Sequence, residues 1–152
     1  MADEAHRNGV RLYGLFASML SGEGKEAYYA AWALTHLPKE DDTYINMYRA
    51  RLTDFAIATA DASLRRLSLT LLVRLEWSVG DIRTDFLDFC LAHLASPAEP
   101  VGIRSLCIKL AYAQCRHYDE LRDELRECLA LMEQEHLNPG LRHTRDKTLH
   151  QL

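Results

Sequence analysis

The sequence has no run of apolar residues long enough to cross a bilayer, so we expect no membrane-spanning segment. Its first ten residues, MADEAHRNGV, begin acidic and lack the apolar core of a secretory signal. The four cysteines include no CxxC pair, and each falls in an apolar helical pattern where a free thiol packs as a small hydrophobe. These absences predict a cytoplasmic protein without disulfide bonds or membrane contact.

Glycine clusters and alternating polar and apolar residues are missing as well. Residues 96–111, SPAEPVGIRSLCIKLA, lead from a proline-containing loop into a helical pattern, but a phosphate cradle would need a glycine-rich loop after a strand. No window alternates with period two, so we predict no β-sheet. The net charge of −4 excludes a chain that is basic as a whole, although a basic face can lie within an acidic total.

Apolar residues at helical spacing run along the whole chain and predict eight helices. We expect Asp61 and Asp81 to cap the fourth and fifth helices, and Pro139 to occupy the first position of the last one. The third helix is expected to begin after Asp41 or Asp42 and is marked by four residues, Tyr48, Leu52, Phe55 and Ala56. Leu106 is placed in the buried stripe of the sixth.

Two series of apolar positions repeat with one period of about 38 residues, which is typical of a helical repeat array. The second helices of each pair align on Ala27, Leu64, Ile103 and Leu141, which are 37, 39 and 38 residues apart. The first helices align on Leu15, Leu52, Phe89 and Leu125, which are 37, 37 and 36 residues apart. Two ladders with one period indicate stacked helix pairs rather than a simple bundle.

An arginine directly follows three of the second-helix anchors, as Arg65, Arg104 and Arg142. These side chains could form a basic ladder along the inner surface, or each could pair with an acidic residue or a carbonyl group of the adjacent helix. We favour pairing, because covered guanidinium groups rarely remain without partners.

A helix pair of this length, with Asp or Pro before the second helix and an arginine at its start, resembles a HEAT repeat. The resemblance covers essentially the whole chain. Residues 30–37, 90–111 and 138–152 look like short HEAT-repeat proteins of Bacteroidota. The resemblance to HEAT repeats implies an all-α fold. It implies a right-handed α-α superhelix of about four antiparallel helix pairs in a single domain, residues 1–152. The repeats are expected at roughly 5–38, 41–77, 81–117 and 119–152.

Some of those similar proteins carry an adenylosuccinate lyase label. Lyases of that class are much longer and rely on a glycine- and serine-rich loop around a catalytic serine, and this sequence has no such loop. We therefore expect no lyase activity, no catalytic residue and no metal or cofactor. Cys90 and His93 share a helix but lack a third ligand, so we expect them to pack between repeats. Asp85 and Asp88 are expected on a solvated face.

Charge differs between the two sets of helices. The first-helix segments (1–20, 41–60, 81–95 and 119–136) hold 15 Asp or Glu and 7 Lys or Arg, a net of −8, whereas the remaining residues hold 7 and 11, a net of +4. In proteins of the HEAT type the second helices line the concave side. The resemblance therefore implies a mildly basic inner face that suits an acidic peptide or protein partner.

Four residues are predicted to contact that partner: Lys109, Arg145, Lys147 and Trp77. Trp77 lies at a helix end and is expected to be exposed, whereas Trp32 is expected to pack. The alternative is nucleic-acid binding of the kind found in HEAT-like glycosylases for alkylated DNA, which place an aspartate and tryptophans in a basic groove. No aspartate of this sequence matches such a position.

Overall fold

The structure, a computed structural model, describes residues 2–132 and 136–152, with side chains from residue 7 onward. Within these residues all regular structure is helical, in nine α-helices and two short 3-10 helices, with no strand. The all-α prediction is confirmed. The chain divides into two compact units, Met1–Leu75 and Glu76–Leu152. That residues 1–152 act as a single domain stays a prediction.

The first unit contains the helices of the first two predicted repeats. They are α1 (Ala2–Ser21), α2 (Gly24–Thr35), α3 (Asp42–Met47), α4 (Arg49–Ala58) and α5 (Ala62–Val73), with a 3-10 turn at Lys39–Asp41. α1 packs on α2, α4 packs on α5, and the second helices α2 and α5 also contact each other. Because α1 and α2 are joined by only two residues, they pack as an antiparallel hairpin. Gly22 and Gly24 make that turn possible with φ values of 68° and 67°.

The predicted third helix begins at Asp42, as expected, but it is interrupted at Tyr48 and forms two helices, α3 and α4, instead of one. Tyr48 has φ −101° and ψ 8°, outside the helical region. Its ring stacks on Phe16 of α1, with the ring centroids 3.9 Å apart. The Arg51 guanidinium lies 4.9 Å from the centroid of the same ring. Tyr48 therefore packs against α1 at the junction between α3 and α4. Helix periodicity alone does not predict this contact.

The second unit contains four α-helices. They are α6 (Thr84–Leu94), α7 (Val101–Cys115), α8 (Asp119–Leu131) and α9 (Pro139–Gln151), with a 3-10 turn at Val79–Asp81 before α6. α6 packs on α7, and α7 contacts both α8 and α9. The second helices of the third and fourth repeats, α7 and α9, are therefore neighbours, as α2 and α5 are in the first unit.

Two of the predicted helix starts are confirmed. The Asp61 carboxylate accepts a hydrogen bond of 3.0 Å from the backbone N–H of Leu64 and so caps α5. Pro139 is the first residue of α9, where its missing N–H costs nothing. The side chain of the preceding Asn138 accepts a 2.8 Å bond from the N–H of Gly140.

The predicted cap at Asp81 is wrong. The Asp81 carboxylate accepts hydrogen bonds of 2.9 Å from both the N–H and the hydroxyl of Ser78, and so closes the 3-10 turn. α6 begins later, at Thr84. A serine three residues before the carboxylate offers it a closer donor pair than the helix that follows.

All four second-helix anchors are buried, with exposed fractions of 0 to 3%. Of the first-helix anchors, Leu52 and Leu125 are buried, whereas Leu15 and Phe89 are only half-buried. Leu106 is half-buried too, so its placement in the buried stripe of α7 is wrong. The fully buried residues of α7 include Cys107, Ile108, Leu110 and Ala111, which shifts the centre of the apolar face past Leu106.

All four cysteines are free and lie in the second unit. Burial raises the pKa of the Cys115 thiol to about 12, with smaller contributions from Glu124 and Cys128. Burial likewise raises the pKa of Cys90, and the neighbouring Cys107 adds to that rise. Cys128 is half-buried, and its pKa is raised as well, mainly by burial. These thiols behave as core side chains and not as nucleophiles.

Replacing Leu125 by alanine is expected to lower the free energy of unfolding by about 2–5 kcal/mol, because Leu125 is fully buried in α8 and its loss leaves a cavity. Leu131→Ala on the same helix removes the same atoms from a side chain that is 69% exposed, and should change the free energy by less than about 0.5 kcal/mol. Urea unfolding of both variants measures the difference. Equal losses would contradict the assignment of the buried face of α8.

The buried thiols are expected to resist labelling by a disulfide reagent in the folded protein. At pH 8, a pKa of about 12 leaves the Cys115 side chain as thiolate in roughly one protein molecule in ten thousand. Cys128 should react first, and Cys90 and Cys115 should react only on unfolding. Mass spectrometry of the labelled peptides gives the order, and labelling in denaturant shows that all four can react. Rapid labelling of Cys115 in the native protein would contradict its burial.

Candidate binding surface

Two of the three repeated arginines bind backbone carbonyl groups at the end of the preceding helix. Arg65 donates from Nε to the carbonyl oxygen of Ala56 in the last turn of α4, at 2.9 Å. Arg104, which is buried, donates from Nε to the carbonyl of the last residue of α6, also at 2.9 Å. Arg142 donates to the carbonyl oxygen of Leu137 at 3.5 Å. The predicted pairing with the adjacent helix is confirmed for Arg65 and Arg104, which hold the two helices of their repeats together. Leu137 lies two residues before α9, so Arg142 bonds to the loop that precedes its own helix.

Two of the predicted contact residues, Lys109 of α7 and Lys147 of α9, line the same cavity. It has a volume of about 360 Å³. The lining comprises two residues of α7 and five of α9: Lys109, Tyr112, His143, Thr144, Lys147, Thr148 and Gln151. None of these side chains is acidic. This basic cavity is the strongest candidate site of the second unit.

Both lysines are exposed, and neither forms an ion pair with a residue that the structure describes. Two threonines of the lining already donate within α9: the Thr144 hydroxyl to the carbonyl of Gly140, and the Thr148 hydroxyl to the carbonyl of Thr144. The two ammonium groups are therefore the charged donors that the cavity offers to a ligand.

The register of the lysines explains how they reach this surface. Lys109 follows Arg104 by five residues, and Lys147 follows Arg142 by five. Five residues turn an α-helix by roughly 140° relative to the starting position, so the arginine and the lysine point to different sides of the helix. The five-residue spacing is visible in the sequence, but the shared cavity depends on the packing of α7 against α9. In the second repeat the same position is Thr70, which adds no charge.

Arg145 does not belong to this set. Its Nε and Nη2 donate to the carboxylate of the adjacent Asp146 at 2.9 and 2.7 Å. Only 11% of its side chain is exposed. Arg145 was predicted to contact a partner through its positive charge, but the neighbouring carboxylate of Asp146 already neutralises that charge.

The expectations for the two tryptophans are both wrong. Trp77 is only 3% exposed, and its ring lies 5.6 Å from that of Phe86. Its carbonyl is 2.7 Å from Nε2 of His117, which anchors the segment before α6. Trp32 is 49% exposed, with its ring 4.1 Å from that of His36. Position at a helix end does not decide exposure, because the chain at Trp77 folds back onto α6.

The first helix of the fourth repeat is acidic where its side chains are described. The exposed carboxylates of α8 include Asp119, Asp123, Glu124 and Glu127, against Arg122 and Arg126. Arg122 pairs with Asp119, and Arg126 pairs with Asp123 at 2.6 Å. The predicted acidic total also includes Asp3, Glu4, Glu133 and Glu135, whose side chains lie outside the described residues. Within the second unit, acidic and basic surfaces therefore lie on different helices.

A second cavity, in the first unit, is apolar. Its volume is about 530 Å³, and its lining includes Val10, Tyr13 and Met47, which are 61, 63 and 76% exposed. No charged side chain is among the described residues that line it. This cavity does not match the acidic partner that the charge distribution predicts.

The other candidate sites do not assemble into catalytic groups. The Nδ1 atom of His93 lies 3.1 Å from a carboxylate oxygen of Glu99, and its ring contacts Phe89, while Cys90 is buried. Asp85 is exposed, and a hydrogen bond from Arg83 holds its pKa below the usual value, so it is an anion near neutral pH. Among the side chains that the structure describes, no group of three or more His, Cys, Asp or Glu could hold a metal ion.

Within the described part of the chain, no helix combines the length and hydropathy that a bilayer crossing requires. Comparison with curated proteins and with solved structures gave no significant match. A family model described as a HEAT repeat domain matches residues 1–152. That match spans both units, in which paired helices recur with the predicted period and Arg65 and Arg104 each join a second helix to the helix before it. The chain belongs to the HEAT repeat family.

Proposed function

We propose that the protein is a non-catalytic scaffold that binds an acidic peptide segment of a partner protein at the basic cavity between α7 and α9. The single observation that carries this proposal is that Lys109 and Lys147 line one cavity with no acidic side chain in its lining. Membership in the HEAT repeat family supports a role in protein interaction. The fold alone does not specify the partner. The chemistry of the partner is therefore inferred from the residues that line the cavity.

An acidic peptide fits this surface better than duplex DNA does. Duplex DNA presents a dense row of phosphates and is bound through many Lys and Arg contacts. The cavity offers two lysines, and Arg145 is paired with Asp146. The HEAT-like glycosylases to which the alternative refers need an aspartate and tryptophans in a basic groove. Neither residue type lines this cavity, and Trp77 is buried.

The proposal of a non-catalytic role rests on the state of the reactive side chains. The Cys90 and Cys115 thiols have raised pKa values and are protonated at neutral pH. The lowered pKa of Asp85 removes it as a proton donor. We also propose that the protein acts in the cytoplasm, since four free cysteines suit a reducing compartment.

The test is a fluorescence anisotropy titration with a short glutamate-rich peptide at about 0.15 M salt. We expect the wild-type protein to bind this peptide and the double variant Lys109→Glu/Lys147→Glu to bind it at least about tenfold more weakly. Two exposed ion pairs contribute up to roughly 1 kcal/mol each, and reversal also introduces repulsion.

The matched control is Lys25→Glu/Lys39→Glu, which reverses two exposed lysines of the first unit and changes the net charge from −4 to −8 just as the test variant does. It should retain the wild-type affinity. Equal losses in the two double variants would indicate a general charge effect and would overturn the assigned site. Duplex DNA that binds more tightly than the peptide, with a steep dependence on salt, would replace this proposal with nucleic-acid binding.

A further inference from the structure

The polar groups of the basic cavity form two short helical rows. On α7, Lys109 and Tyr112 are three residues apart, and on α9, His143, Lys147 and Gln151 follow each other at intervals of four. These spacings place each row on one face of its helix. Because α7 and α9 pack together, both rows line one cavity.

Each of these five side chains can donate a hydrogen bond. Within the described structure, none of the five has an internal side-chain hydrogen bond or ion pair. The hydroxyls of Thr144 and Thr148 are already used within α9. The cavity therefore holds two fixed positive charges and several uncommitted donors, with no carboxylate among the described residues that line it. Such a site is complementary to a compact anion with several acceptor oxygens.

The amount of positive charge distinguishes among anions. The cavity is lined by two lysines and no arginine, and nearby Arg145 is occupied by Asp146. A lysine ammonium is a compact charge with three rotatable donors, and lysine binds phosphate as a point charge. A phosphate monoester carries a charge of about −1.5 to −2 near neutral pH and offers three strong acceptor oxygens, whereas a carboxylate carries one charge. Two lysines balance the phosphate dianion more closely.

The size of the cavity limits what it can hold. About 360 Å³ is near the lower end of the range for ligand sites, which is roughly 300–1,000 Å³. The cavity therefore suits one side chain of a peptide, while the rest of that peptide lies outside.

We infer that the basic cavity of α7 and α9 binds a phosphorylated side chain, phosphoserine or phosphothreonine, of a peptide partner. Lys109 and Lys147 neutralise the phosphate, and Tyr112, His143 and Gln151 donate to its oxygens. This inference rests on the proposed peptide-binding function and specifies which residue of the peptide the cavity recognises.

The experiment compares three peptides of otherwise identical sequence, with phosphoserine, glutamate or serine at the central position and glutamates on either side. Isothermal titration calorimetry on the full chain should show that the phosphoserine peptide binds about tenfold more tightly than the glutamate peptide, because the second charge and the third oxygen add charge-assisted hydrogen bonds. Lys109→Gln and Lys147→Gln should each reduce that preference severalfold. Lys25→Gln, at an exposed lysine of α2, should leave it unchanged.

A titration with inorganic phosphate separates the phosphate from its peptide carrier. Amide NMR signals of α7 and α9 should shift at millimolar phosphate in the wild type and not in Lys109→Gln/Lys147→Gln. Since these substitutions lie on exposed side chains, unchanged spectra elsewhere will show that the variants are folded. Free phosphate that binds as tightly as the phosphopeptide would contradict a peptide partner and indicate a site for the small anion.

The remaining outcomes separate the two proposals. If phosphoserine and glutamate peptides bind equally and both depend on the two lysines, the phosphate inference is wrong and the acidic-peptide function stands. If none of the three peptides binds, both are wrong. If the phosphoserine preference survives in Lys109→Gln and Lys147→Gln, the phosphate is recognised elsewhere and the cavity assignment is wrong.

Discussion

Two helix pairs, α4–α5 and α6–α7, are joined by a donor for the carbonyl groups at the end of the first helix. The last carbonyls of an α-helix have no partner within that helix, and leaving such groups buried and unbonded is costly. In the second and third predicted repeats an arginine at the start of the second helix provides this donor. Arg104 is the clearest case, because its guanidinium is buried and bonded to the last carbonyl of α6. This bond links the end of one helix to the start of the next and so fixes how the pair packs.

The same arrangement determines which charges remain for binding. Arg65 and Arg104 are turned toward the first helix of their repeats, and a residue five positions later lies roughly 140° around the second helix. That position is lysine in the third and fourth repeats and Thr70 in the second. The basic cavity therefore forms in the unit that carries both lysines. In the first unit the second helix α2 instead exposes aromatic side chains, Tyr29 and Trp32. Structural and surface cations are thus separated by helical register.

The helix pairs and the role of the arginines could be predicted from the sequence because both depend on a repeated spacing. All four second-helix anchors are buried, whereas two of the four first-helix anchors are only half-buried. Features that depend on one contact could not be predicted. The helix break at Tyr48 reflects its stacking on Phe16, and the burial of Trp77 reflects its packing on Phe86. The pairing of Arg145 with its own neighbour, Asp146, was not predicted either. The cavity could not be predicted either, because it depends on the packing of α7 against α9.

The separation of structural from binding cations is tested most directly by measuring peptide affinity and the free energy of unfolding for Arg104→Gln and Lys109→Gln, two variants of one helix. Arg104→Gln should lose about 1–3 kcal/mol of stability, because the carbonyl at the end of α6 loses its donor, and should bind the glutamate-rich peptide with unchanged affinity when folded. Lys109→Gln should bind the peptide more weakly and keep its stability within about 0.5 kcal/mol. Loss of affinity in fully folded Arg104→Gln, with Lys109→Gln binding as well as the wild type, would contradict the account.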